Sequence, residues 1–219
     1  MTTRQIARKT GSSGSRRRIM DAAIRSYREI GYRKTSMADV ARGASMSPAN
    51  VYRFFPSRQS LEEAVVAELL DEILMAAATA GGSNGSSLQR LSATLRTLSR
   101  LDQDRMANDP RLSELVAAAI HADYPVTLAY TDKVRGIVQS IIMAGQASGE
   151  IRSGSPMALA CCLLDAMDAH VAPSPTKPFT ARPAFEEMME FCACALRNGM
   201  PAPPIGLQSN SYLAAVYQS

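Results

Sequence analysis

Tryptophan is absent from this 219-residue chain, and five Phe and seven Tyr supply all of its aromatic surface. The core must therefore be built mainly from aliphatic side chains and Met, at a composition (46% apolar, 20% charged) ordinary for a globular protein. Also missing is any run of eighteen uncharged apolar residues. The best candidate, Met157 to Ala172, is cut by Asp165 and Asp168, which argues against a membrane-spanning helix and leaves no membrane partner expected. The basic N-terminus lacks the apolar stretch and cleavage site of a secretory signal. Four Cys in such a chain point to reduced thiols and a cytoplasmic location. Alternating runs that would read as strands are lacking as well, so the expected fold is all-α.

Acidic residues are scarce at one end. The first sixty residues hold thirteen Lys and Arg against three acids, Asp21, Glu29 and Asp39, a net charge of +10. The remainder holds eleven basic and seventeen acidic residues, a net of −6. An asymmetry of this size points to a polyanion-binding head on an acidic body. Charge of this kind gives affinity for phosphates without choosing a sequence.

Residues 1–15 mix basic residues with TGSSGS and read as a flexible basic arm. A helix is expected from about Arg16, where Met20, Ala23, Ile24, Tyr27 and Ile30 form one stripe that Gly31 ends. Thr35 or Ser36 caps a second helix with the stripe Met37, Val40, Ala41 and Ala44. After the turn Ser45-Met46-Ser47, Ser47 caps a third helix that carries Pro48 in its first turn. Val51 and Phe55 face inward, Pro48, Ala49, Asn50 and Arg53 face out, and Tyr52 and Phe54 lie at the edges.

Further helices are expected from about Arg58 to Ala78 and from Leu88 through Leu98, separated by GGSNGSS. One long helix, bent near Pro125, is expected to follow Asp109-Pro110 as far as Ile142. The last two span about 156–171 and 183–197, joined by the stiff APSPTKP, with a loose tail over 200–219.

Two short helices around a three-residue turn, with Asn and Arg outward on the second, form a helix-turn-helix. The second helix of such a pair fits the major groove, where each base pair shows its own donor and acceptor pattern. The segment RRRIMDAAIRSYREIGYRKTSMADVARGASMSPANVYRFFPSRQSLEEAV resembles the N-terminal domain of the TetR/AcrR transcriptional regulators over about residues 13–73, with the motif at about 36–55. The resemblance rests on Gly31, Thr35-Ser36, Val40-Ala41, Ala44, Ser47, Val51-Tyr52, Phe54-Phe55 and Leu61 at fixed spacing. It departs at Ser45 and Ala49, where the family commonly has Gly, and at Arg58, where it usually has Lys. If Ser45 takes a positive φ, the cost is about 1 kcal/mol.

The resemblance implies that Thr35, Ser47, Tyr52 and Arg58 meet phosphates, with Ser36 and Phe54 close to the DNA backbone. Pro48, Ala49, Asn50 and Arg53 then face base edges, Asn suiting adenine and Arg guanine. It further implies a head at 16–60, an effector-binding and dimerisation body at 61–199, and a homodimer formed through the helices at about 156–171 and 183–199. Such a dimer reads a near-palindromic operator in double-stranded DNA, and an unknown small molecule in the body releases it. An activator, or a DNA binder without a ligand, is the alternative. Met106, His121, Tyr124, Met143 and Met167 are the candidate effector-pocket residues, chosen for mixed polarity on body helices.

No cofactor and no metal site are expected. Cys192 and Cys194, two apart on a helix, point about 200° apart and cannot share a metal, and Cys161 and Cys162 read as small core residues. Neither His121 nor His170 has partners at ligand spacing. An enzyme built on Asp165, Asp168 and His170 is the weakest reading, since no nucleophile, phosphate loop or metal set accompanies them.

Overall fold

The structure is a computed structural model that describes residues 3–171, 183–197 and 199, with side chains from Ser13 onward. Helix α1 (Thr3–Ile30) leads through a 3₁₀ turn (Tyr32–Lys34) to α2 (Met37–Gly43) and α3 (Pro48–Phe54). The body follows as α4 (Arg58–Gly81), α5 (Ser87–Asn108), α6 (Pro110–His121), α7 (Pro125–Ala147), α8 (Pro156–Val171) and α9 (Phe185–Leu196). Among the described residues the only β-type pairing is an isolated bridge between Ile151 and Arg197. The all-α expectation holds. No helix of the described residues is long and apolar enough to cross a membrane.

Local chemistry accounts for the boundaries. Gly31, at φ 88, takes a backbone conformation that L side chains rarely adopt and ends α1 there. Ser36, rather than Thr35, caps α2: its hydroxyl accepts from the Asp39 amide while the Asp39 carboxylate accepts from the Ser36 amide, a reciprocal capping box. Ser57 and Ser86 cap α4 and α5 in the same manner. Glu150, from the turn after α7, accepts from the amides of Ser87 and Leu88 at 2.6 and 3.1 Å, and so satisfies two free donors at the start of α5.

Two expectations are corrected. The segment read as a flexible arm over 1–15 is helical from Thr3, continuous with α1. Arg4, Gln5, Ala7, Arg8 and Lys9 are good helix formers, and the helix passes through Gly11 and Gly14 despite their cost of about 1 kcal/mol each. The long helix expected across Pro125 is two helices. Asp123 adopts a left-handed φ of 49 between them, and Pro125 restricts Tyr124 to an extended ψ of 136 and opens α7. The stiff connection at 172–178 and the tail at 200–219 lie outside the described residues.

Buried apolar side chains fall into two clusters. The first joins α1, α2, α3 and the first half of α4, from Ile19 and Tyr27 through Val51 and Phe55 to Leu70. It also takes in Leu112, Leu115, Val116 and Ala119 of α6. The second joins the later half of α4 to α5, α7, α8 and α9. Tyr130 of α7 packs against both. Although α6 lies in the chain among the body helices, its apolar face belongs to the core that carries the helix-turn-helix. The head's core therefore does not stop at residue 60.

Candidate nucleic-acid interface

The inner side of α3 is closed. Val51 and Phe55 are fully buried, each stabilising the head by about 2 kcal/mol through the area removed from water. Arg16 of α1 lies over the Phe55 ring at 4.5 Å from its centroid, which covers that ring from the solvent side. The outer side is open. Pro48, Ala49, Tyr52 and Arg53 are exposed, with Asn50 and Phe54 half-buried beside them. Arg53 rests its guanidinium 5.2 Å from the Phe54 ring centroid, which limits the directions it samples.

The turn that aims this face is strained at one point. Ser45 has φ 55, the left-handed conformation that a Gly would adopt at less cost. Its amide donates to the Arg42 carbonyl and the Met46 amide to the Ala41 carbonyl, closing α2. Ser47 then caps α3 by accepting from the Asn50 amide at 3.3 Å.

The ten residues expected at DNA divide into two groups. Ser36, Ser47, Pro48, Ala49, Tyr52 and Arg53 are exposed, and Asn50 and Phe54 border them. Thr35 and Arg58 make bonds within the protein, Thr35 buried and Arg58 exposed. Thr35 is 2% exposed, and its hydroxyl donates to the Gly31 carbonyl at 2.9 Å. Arg58 donates through Nε to Glu62 at 2.7 Å and through Nη2 to the Tyr32 carbonyl at 2.5 Å. It ties the start of α4 to the 3₁₀ turn that precedes α2.

Glu62 is itself buried, and Tyr124, the residue before α7, donates to its other oxygen at 3.4 Å. Burial first, and then the Glu62 charge, raise the hydroxyl pKa of the adjacent Tyr27 well above the usual phenol value. The arginine reaching Glu62 was visible as an i, i+4 pair. Its bond to the Tyr32 carbonyl, 26 residues away, left no periodic signal. Nor did two contacts that fasten α6 to the end of α1: Arg28 with Asp109, and Arg111 with the carbonyls of Arg28 and Glu29.

The five candidate effector residues do not converge. Met106 and His121 are exposed, and Met143 is 53% exposed on the outer face of α7. Met167 is fully buried within the body core, and Tyr124 is engaged with Glu62. Met106 borders the Leu91-Leu95-Leu98 stripe at 44% exposure, and Met143 lies beside, not on, Ile141-Ile142.

On α8 and α9, Leu159, Ala160, Leu163, Met167, Met189, Cys192 and Leu196 face inward. Met157, Cys162, Cys194 and Phe191 face out, Phe191 at 69% exposure. Cys192 is buried and its thiol pKa is raised by that burial, whereas Cys194 points to solvent, as two-residue spacing on a helix requires. Asp165 and Asp168 are exposed, and His170 meets the edge of the Phe185 ring at 5.9 Å.

Residues 19–65 match the family described as "Bacterial regulatory proteins, tetR family", and residues 88–190 match "Tetracyclin repressor-like, C-terminal domain". The HTH-type transcriptional regulator BetI of Rhizobium meliloti (strain 1021) is 32% identical over 88 residues, 40% of this chain and 43% of the relative. The HTH-type transcriptional regulator RutR of Escherichia coli (strain K12) is 26% identical over 144 residues, 65% of this chain and 64% of the relative. The matched chain thus spans less than two thirds of these relatives' length. Among solved structures, RolR in complex with resorcinol has a TM-score of 0.61 at 15% identity, covering 87% of this chain and 91% of RolR, a likeness of fold. The two matched segments coincide with the capped helix-turn-helix and with the helical body behind it, and the chain belongs to the TetR family of DNA-binding transcriptional regulators.

Proposed function

We propose that this regulator is a cytoplasmic repressor that binds a near-palindromic operator as a homodimer and is released by a small molecule bound in the body. The observation that carries the reading is the outer face of α3. Pro48, Ala49, Asn50 and Arg53 stand together on a helix fixed at its start by Ser47 and beneath by Val51 and Phe55. These four residues read base edges, Asn50 at adenine and Arg53 at guanine, and the Ala49 methyl meets a thymine methyl. Ser36, Ser47 and Tyr52 position the head on phosphates, with Phe54 against the backbone. Thr35 and Arg58 serve DNA binding indirectly, by holding α2 and α4 in register.

Dimerisation through α8 and α9 is supported by their outward apolar residues, Met157 and Phe191 among them, which the single chain leaves uncovered. Two heads held by such a contact read half-sites one DNA turn apart. Response to a small molecule is supported by the position of α6, whose apolar face packs in the head's core while its first residues grip α1. A shift of α6 moves the head. RolR, in its solved complex, holds resorcinol.

The test is a titration of purified protein against DNA from upstream of its own gene, with a small-molecule panel added. Binding of two chains per site, tighter than to random DNA and weakened by a panel member, is expected. Equal affinity for upstream and random DNA contradicts operator recognition. Affinity that no compound changes contradicts release by a ligand.

A further inference from the structure

Among the described residues, three buried side-chain polar atoms lack a hydrogen-bond partner: Arg105 Nε, Arg105 Nη1 and Ser113 Oγ. They lie on either side of the joint at Asp109, Arg105 in the last turn of α5 and Ser113 in the first turns of α6. The Arg105 side chain is 12% exposed. Its Nη2 donates to Asp102, one turn earlier on α5 and also mostly buried. Buried guanidinium groups ordinarily have their donors met, so two orphaned nitrogens on one arginine need an explanation.

The charge balance decides what would satisfy them. Arg105 and Asp102 already form a neutral pair, so the site lacks acceptor lone pairs and not negative charge. A carboxylate or phosphate placed here would add a second anion beside Asp102 in a desolvated setting, which is unfavourable. A carbonyl oxygen accepts from Nε or Nη1 without that repulsion. Ser113 adds a hydroxyl that can donate or accept. Across from α5, Tyr130 senses both charges: burial pushes its pKa up to about 12, Arg105 lowers it and Asp102 raises it. Tyr130 is also the side chain that packs against both apolar clusters.

We infer that the Arg105–Asp102 pair, with Ser113, is the polar anchor of the effector site, and that the effector is an uncharged, largely apolar molecule presenting a carbonyl oxygen. This rests on the proposed response to a small molecule. Because the orphaned atoms are closed to solvent, a ligand reaches them only when the packing at the α5–α6 joint opens. That joint begins α6, where Asp109 and Arg111 hold the last turn of α1. Occupying the anchor therefore loosens the hold of the body on the head.

The experiment uses the full chain and two sets of probes sharing apolar bodies. Octan-2-one, γ-octalactone, octanamide, acetophenone and benzamide carry a carbonyl, while sodium octanoate, sodium benzoate and toluene do not offer a neutral one. Binding is followed by calorimetry, and operator affinity is read in parallel. At least one carbonyl compound is expected to bind at least tenfold tighter than the carboxylate and the hydrocarbon. Arg105→Lys keeps a cation for Asp102 but takes the donors away from the fixed Nε and Nη1 positions, and is expected to weaken that compound roughly 10- to 100-fold with the melting temperature retained. The double variant Asp102→Leu/Arg105→Met removes the pair as a neutral unit and is expected to give the same loss if Arg105→Lys folds poorly.

Failure of every carbonyl probe to bind, preference for the carboxylates, or unchanged affinity in Arg105→Lys overturns the inference. Release of operator by another class of compound, undiminished in Arg105→Lys, overturns it while leaving ligand response standing. Arg105-dependent binding without any change at the operator supports the site and contradicts the proposed release.

Discussion

Arg28 sets Nε and Nη2 against the two carboxylate oxygens of Asp109, at 2.8 and 3.0 Å, and so fastens the last turn of α1 to the residue before α6. Arg111 donates to the carbonyls of Arg28 and Glu29 beside it. The pair is half-exposed, and its net contribution to stability is below about 1 kcal/mol. Its importance is geometric, because it sets where the head sits on α6.

Asp109→Asn is accordingly expected to leave the urea midpoint almost unchanged and to speed amide hydrogen exchange over residues 28–35, read by mass spectrometry. Unaltered exchange there removes the pair from the coupling.

Arg58 supplies a second prediction. Arg58→Met strands the buried Glu62 and frees the Tyr32 carbonyl, and is expected to cost about 2 kcal/mol of stability. Operator affinity then falls with the folded fraction, and the slope of log affinity against log salt stays the same. A slope reduced by about one would instead place Arg58 on a phosphate.

Ser45 tests the strain in the turn. Ser45→Gly relieves the left-handed backbone but gains unfolded-state freedom, for a net stabilisation of about 0.5 kcal/mol. Ser45→Val, β-branched at φ 55, is expected to destabilise by more than 1 kcal/mol, about the cost of that conformation. Denaturant unfolding of both variants checks the sign.

Glu150 carries a pH prediction. Burial pushes its carboxyl up, but hydrogen bonds from Leu88, Ser86 and Ser87 outweigh that, and its pKa lies below the ordinary value of 4.5. A depressed folded-state pKa gives stability that is present above the unfolded value and lost as pH falls through the folded one. Glu150→Gln is expected to lower stability by about 1 kcal/mol at pH 7, as for a lost helix cap. The difference from the parent should shrink as pH drops below 4.5. A gap that stays constant through that range assigns the loss to packing.

The helix-turn-helix was legible because its signals are local. Gly31, the capping serines, Pro48 and the inward pair Val51 and Phe55 all act within a few residues of where they stand. Even the strain at Ser45 could be anticipated from one departure in the family pattern. What stayed hidden depends on distance in the chain. Arg58 bonds the Tyr32 carbonyl 26 residues away, and the Thr35 hydroxyl turns inward to the Gly31 carbonyl, and neither contact leaves a periodic signal. The candidate effector residues depend on packing in the same way: Met106 and Met143 are exposed on their helices, while Met167 is buried. Arg105, seven residues past Leu98, continues the buried stripe of α5, where its charge disguises its burial.

The most direct measurement compares the parent and Arg53→Ala on the upstream operator and on random DNA at several salt concentrations. A loss of about 1–3 kcal/mol is expected on the operator, confined to one base position in each half-site, with little change on random DNA. Equal losses on both would contradict the claim that the outer face of α3 reads sequence.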